Sequence, residues 1–196
     1  MNYKAILKNE TTVVTGKVRL SYANIFEPKS INGSDPKYSV SLIIPKSDKQ
    51  QIKVIQEAIE NAKERDKTKL VNKAGKIPAN LKTPLRDGDE DRPEDENYAD
   101  CYFLNVNSNK APAVVGLEKD IATGKAIPLG SDDVYSGCYA RVSVNFYGFN
   151  TNGNTGIACG LKNVQKVDDG ERLGGGSSAE DDFEFEEVDA EDDFLS

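Results

Sequence analysis

Apolar residues recur at a spacing of two along much of this chain. In residues 13–23, VVTGKVRLSYA, Val18, Leu20 and Tyr22 fall on one face, and Lys17, Arg19 and Ser21 on the other. That alternation predicts a half-buried strand. Residues 37–45, KYSVSLIIP, repeat it, with Tyr38, Val40, Leu42 and Ile44 opposite Ser39 and Ser41, and Pro45 ends the run. CYFLNVN (101–107) and APAVVGL (111–117) read as further strands. The longest alternation is GCYARVSVNFYGF (137–149). TNGNTG after it is a strong hairpin signal, and GIACGLKNVQKV (156–167) returns as the last strand.

The period changes once. Ile52, Ile55, Ile59 and Ala62 fall at helical spacing, and Ser47 or Asp48 can cap the start, with a glutamine three residues on. This predicts a helix over about 48–66. Residues 67–100 are polar and irregular in pattern, and no internal repeat is visible. Five or more strands with one helix predict a mainly β (α+β) domain over residues 1–167. A curled antiparallel barrel, OB-fold-like, suits that inventory better than a sandwich. LGGGSSA marks a flexible Gly/Ser linker, taken as 168–179, before a disordered acidic tail over 180–196 that contains Phe183, Phe185 and Phe194.

Charge sharpens this division. The chain of 196 residues has a net charge of -8, but residues 1–167 hold 24 Lys+Arg against 20 Asp+Glu. Eight of those twenty acids lie in Asp87–Asp100; the rest of the body is strongly basic. A basic body therefore carries an acidic tail with ten carboxylates after Ala179. There is no histidine, which removes the commonest general base and most zinc sites. Cys101, Cys138 and Cys159 are widely spaced in strand-like runs and read as small buried hydrophobes in a reducing compartment. The start of the chain lacks an apolar stretch of signal-peptide length, and nothing later approaches a membrane span. The expectation is a cytoplasmic protein without membrane contact and without a cofactor.

Residues 139–149 carry the most chemistry. Ala140, Val142, Val144 and Phe146 form a plain core stripe. The opposite face reads Tyr139, Arg141, Ser143, Asn145, Tyr147, Phe149, where a solvent face usually shows Lys, Glu and Thr. Aromatic rings that stack on bases, interleaved with cations that follow phosphates, are how single-stranded nucleic acid is held. The same alternation places Lys162 and Lys166 on the neighbouring strand, where Gly156 and Gly160 leave room for close approach. Arg19 joins them from the first strand, with Tyr22 and Phe26 at the mouth of its loop. The candidate single-stranded-DNA site is thus Arg19, Tyr22, Phe26, Tyr139, Arg141, Tyr147, Phe149, Lys162 and Lys166.

Asp87, Asp89 and Asp91 have the 1-3-5 spacing of a calcium loop, but Arg92 stands where glycine is needed and Tyr98 where a bidentate glutamate belongs. No metal site is expected, and the run reads first as a solvated loop.

KYSVSLIIPKSD, PLRDGDE, VYSGCYARVSVNFYGFN, GNTGIACGLKNVQKVDDGERLGG and AEDDF together closely resemble a family of phage and prophage single-stranded-DNA-binding proteins, related to the OB-fold replication proteins of tailed phages. The resemblance runs from about Lys17 to Phe194. It implies an OB-fold that coats single-stranded DNA with little sequence preference during replication and recombination, in the host cytoplasm. It also implies that the acidic tail competes with DNA for the groove and contacts replication and recombination proteins. Members typically end on an aromatic residue, whereas Leu195 and Ser196 follow Phe194 here. Two other functions compete: a magnesium-dependent nuclease built on Asp87–Asp91, and an acidic DNA mimic. The sequence leaves the oligomeric state open, a homodimer included.

Overall fold

The computed structural model describes residues 1–174. The end of the linker and the whole acidic tail, with Phe183, Phe185 and Phe194, lie outside the described residues.

The alternating runs fold as strands. In chain order these are β1 (Ile6–Leu7), β2 (Thr12–Val14), β3 (Val18–Lys29), β4 (Lys37–Pro45), β5 (Leu85–Asp87), β6 (Cys101–Ser108), β7 (Ala113–Lys119), β8 (Ala126–Pro128), β9 (Tyr139–Thr151) and β10 (Asn154–Asp168). Five of them close a ring. β3 pairs with β4 and β4 with β6, both antiparallel; β6 runs parallel to β10 at Asn107 and Gly160. β10 and β9 form the long antiparallel hairpin, and β9 returns to β3 through Val18↔Ala140. The stripe on β9 points inward as the alternation requires, with Ala140, Val142, Val144 and Phe146 all fully buried.

β9 and β10 are 13 and 15 residues long, and each serves a second partner along the same edge. β2 pairs with β9 at Asn145–Ser143, and β7 runs parallel to β10 at Asn163–Gln165. β1 and β8 extend these two flanks outward.

The predicted helix is α1 (Lys49–Arg65). Asp48 caps it by accepting from Gln51 N at 3.1 Å, and Gln51 returns Nε2 to Asp48 at 3.0 Å. Gln51 is fully buried, and its Oε1 accepts from Gly16 N at 2.7 Å, so no polar atom is left to oppose burial. Ile52, Ile55, Ala58, Ile59 and Ala62 cover the barrel interior.

Residues 67–100 are more ordered than their polarity suggests. Two single-turn helices, α2 (Lys67–Leu70) and α3 (Gly88–Asp91), join β5 and a 3-10 turn at Glu96–Tyr98. Tyr98 is the reason. Its ring is fully buried, meets Phe103 edge-on at 5.1 Å, and its hydroxyl donates to Ser41 Oγ at 3.1 Å. Gly88 permits the fold-back, because a Cβ there would collide with the Tyr98 and Cys101 carbonyls. The acidic segment is thus a lid over the outer faces of β4 and β6, packed on Ile43 and Phe103.

Candidate nucleic-acid interface

An OB barrel presents the outer face of its second and third strands, flanked by two hairpin loops, to oligonucleotides. Here those strands are β4 and β6. A groove of about 570 Å³ runs over them, lined by Ser39 and Ser41 on β4, Asn105 and Asn107 on β6, and Lys29, Ile31 and Lys37 around the β3–β4 loop. Lys37 and Asn107 also line the adjoining cavity of about 340 Å³, which continues to Asn145, Tyr147, Gly160 and Lys162. The two cavities form one path across the barrel. Among the described residues Lys29, Lys37, Arg92 and Lys162 line it with one carboxylate, Asp35, while Asp91, Glu94, Asp95 and Glu96 of the acidic lid line a separate cleft that adjoins it at Tyr22 and Arg92.

Tyr22 stands at one end. The β3 register slips between Ser21↔Ser41 and Asn24↔Ser39, leaving Tyr22 and Ala23 opposite Val40 alone. This bulge puts Tyr22 at φ 48°, a conformation a bulky residue seldom adopts. The alternation that placed Tyr22 with Val18 and Leu20 therefore breaks, and the ring is 59% exposed. Arg92 from the acidic lid stacks beside it. Its guanidinium lies 5.1 Å from the Tyr22 ring centre, 4.7 Å from Tyr98 and 5.0 Å from Phe103.

Tyr147 stands at the other end, 37% exposed, its ring passing over Gly160 on β10. Phe149 lies over Gly156 in the same way and is half-buried. A Cβ at Gly156 would meet both the Phe149 ring and Lys82, so the close approach requires glycine. Lys162 is exposed and makes no salt bridge among the described residues.

The other predicted residues lie elsewhere. Arg141 donates to the Thr15 carbonyl at 3.1 Å and the Lys4 carbonyl at 3.4 Å, with the Tyr3 ring at 5.4 Å. Arg19 donates to the carbonyls of Gly137 at 3.1 Å and Glu171 at 2.9 Å. The Tyr139 ring holds Lys17 Nζ at 4.6 Å. Lys166 donates to Asp133 O and Asp169, and the Asp169 carboxylate raises its pKa above the usual lysine value. These four side chains tie the N-terminal segment and residues 168–172 to the barrel. Phe26 lines a separate cleft of about 520 Å³ with Val134, Tyr135 and Leu173. Sequence reasoning missed Lys37, Arg92, Asn105 and Asn107, all of which line the groove.

Asp87, Asp89 and Asp91 of the lid are engaged internally. Lys46 Nζ sits between Asp87 at 2.8 Å and Asp89 at 2.7 Å, where a metal cation would have to sit. Its hydrogen bonds hold both acids below the usual aspartate range. Arg86 takes Asp91 at 2.8 Å. The nuclease arrangement considered from the sequence thus has an ammonium group at its centre.

A ring of five strands in which the first meets the fourth and the third runs parallel to the fifth is an OB barrel, and the groove lies on its binding face. The chain belongs to the family of the ssDNA-binding protein of Enterobacter phage Enc34, whose family model matches residues 11–195. It is 30% identical over 188 residues to putative protein p50 of Acyrthosiphon pisum secondary endosymbiont phage 1, covering 91% of this chain and 96% of that protein. Among solved structures it resembles the C-terminally truncated single-stranded DNA-binding protein from bacteriophage Enc34, with a TM-score of 0.71 and 22% identity over 87% of this chain and 93% of that one. The same phage protein in complex with ssDNA gives 0.68 and 20%, over 88% and 98%. Gp2.5, a single-stranded DNA-binding protein encoded by bacteriophage T7, gives 0.56 and 16%, over 85% and 97%. No helix among the described residues is long and apolar enough to cross a membrane.

Proposed function

We propose that this protein binds single-stranded DNA along the groove over β4 and β6, with little sequence preference and without catalytic turnover. The observation that carries this reading is one continuous path with an exposed tyrosine at each end, lined among the described residues by four cations and one carboxylate. Tyr22 and Tyr147 offer ring faces to bases, and Lys29, Lys37 and Lys162 follow the phosphates. Asn105 and Asn107 supply hydrogen bonds that any base can use. Of the residues expected from the sequence, Tyr22, Tyr147, Phe149 and Lys162 act on DNA directly. Arg19, Tyr139, Arg141 and Lys166 support the barrel, and Phe26 serves the cleft beside residues 172–174.

Membership in a phage family supports a role in coating and protecting single strands during phage replication and recombination in the host cytoplasm. The tail after the linker, with ten carboxylates and three phenylalanines, is the natural competitor for a groove that takes a polyanion, and a contact for replication proteins. Tethering gives it an effective concentration around millimolar. Deleting residues 177–196 is expected to tighten binding severalfold at low salt, with the gain shrinking as salt rises. The test of the main reading is a titration of labelled dT and mixed-sequence strands. Comparable binding of both, weakening linearly in log salt, supports it. Failure to bind either strand at about 50 mM salt refutes it.

A further inference from the structure

Residues 67–82 contain Lys67, Lys69, Lys73, Lys76 and Lys82 and no acidic residue. All five lysines are exposed. Among the described residues none forms a salt bridge, whereas Lys17, Lys46, Lys63 and Lys166 each hold a carboxylate. A run of uncompensated cations repels itself, so a fold that holds them together invites a polyanion.

The segment is held firmly. Leu70 is fully buried in the core. Asn150 Nδ2 donates to the Lys69 carbonyl at 3.1 Å, and Asp66, just before the segment, accepts from Gly148 N at 2.7 Å. Asn72 N donates to the Lys76 carbonyl at 2.8 Å, closing the turn that carries Lys73. Ile157 N donates to the Lys82 carbonyl at 2.8 Å, which ties the end of the segment to β10. Its position is equally defined. Lys82 and the Phe149 ring cover Gly156 together, and Phe149 lies two residues along β9 from Tyr147, at the end of the groove. Lys82, the last of the five lysines, thus stands beside the end of the groove, and the other four lead away from it along the segment.

We propose that residues 67–82 form a phosphate track that takes the backbone of the same single strand as it leaves the groove past Tyr147 and Phe149. This rests on the groove reading above and adds a second, separate part to the site. The segment contains no aromatic residue, so it grips charge alone and does not read bases.

The experiment compares two dT strands, one of about 6 nucleotides, within the usual occupancy of one OB barrel, and one of about 20, beyond it. Each is titrated across salt against the full chain and a variant carrying Lys67→Gln, Lys69→Gln, Lys73→Gln and Lys76→Gln. The short strand is expected to bind both proteins alike. The long strand should lose affinity for the variant more than tenfold, and the slope of log K against log salt should fall by about 0.7 for each lysine engaged. Arginine at the same four positions should restore the slope. A folded variant that matches the full chain on the long strand overturns the track while leaving the groove intact. So does an equal loss on both strands, which would show a general field effect. Failure of the unaltered chain to bind either strand overturns the groove reading, and the track with it.

Discussion

Replacing Tyr147 by alanine separates binding from folding. The side chain is 37% exposed and makes no hydrogen bond among the described residues. Its ring edge lies 3.5 Å from where a Cβ on Gly160 would stand, so it rests on the barrel without filling the core. Removal should therefore cost only about 0.5 kcal/mol of stability, the scale of ordinary surface changes. Loss of one stacking platform costs about 1–3 kcal/mol of binding, or roughly 5- to 150-fold in Kd. Phe146, its neighbour on the opposite face, is fully buried. Phe146→Ala should cost about 3–5 kcal/mol of stability and affect binding only through the folded fraction. Anisotropy of a labelled dT strand and thermal melting by circular dichroism measure the two quantities on the same samples. A Tyr147→Ala protein that binds like the unaltered chain and melts early would invert the assignment of the two faces.

Three further outcomes follow from the geometry. Arg92→Met keeps apolar bulk beside Tyr22 but removes a cation, so affinity should fall by about 0.5–2 kcal/mol; a double-mutant cycle with Tyr22→Ala should be non-additive, and additive losses would uncouple the pair. Lys162→Gln should reduce the salt slope of binding by about 0.7 for dT and mixed sequences alike, and an unchanged slope removes it from the phosphate path. Asp66, bonded to Arg65 and to Gly148 N, has its carboxyl lowered to about 2. A lowered folded-state pKa gives stability that is present above the usual value near 3.8 and lost as pH falls through about 2. Asp66→Ala should therefore be destabilised by about 1–3 kcal/mol at neutral pH, narrowing toward pH 2, and a pH-independent gap in melting would contradict this.

Local order was legible where one face decides everything. The β9 stripe and the α1 period each bury an unbroken apolar set, so a spacing of two or of 3.6 identifies the element. Alternation gives the face of a side chain but not its neighbour. Arg141 points off the core as expected, yet the Thr15 carbonyl, 126 residues away, takes it. Lys166 departs from the expected alternation: a bulge at Lys162 shifts the parity of β10, so Lys166 pairs with Ala140 on the core side, where the Asp133 carbonyl takes it. Tyr22 escaped its parity because a bulge has no period. The lid looked like a solvated acidic run because Tyr98 is a single aromatic among charges; its burial depends on Phe103 and Ser41, which the sequence does not place beside it. Arg92 is a lone cation among eight acids in the sequence, and only the folded lid brings it to the groove. Asn105 and Asn107 alternate visibly in CYFLNVN, but asparagine carries no signature of charge or stacking.

Single-stranded DNA is proposed to lie across β4 and β6 from Tyr22 to Tyr147. Photo-crosslinking a bromodeoxyuridine-substituted dT strand to the full chain, followed by peptide mapping, tests it directly. Crosslinks are expected on peptides containing Tyr22 and Tyr147 and none on Tyr139, whose ring is taken by Lys17. Crosslinks concentrated at Tyr139 and Phe26, with Tyr22 and Tyr147 unmarked, would place the strand on the other side of the barrel and rule out the groove over β4 and β6.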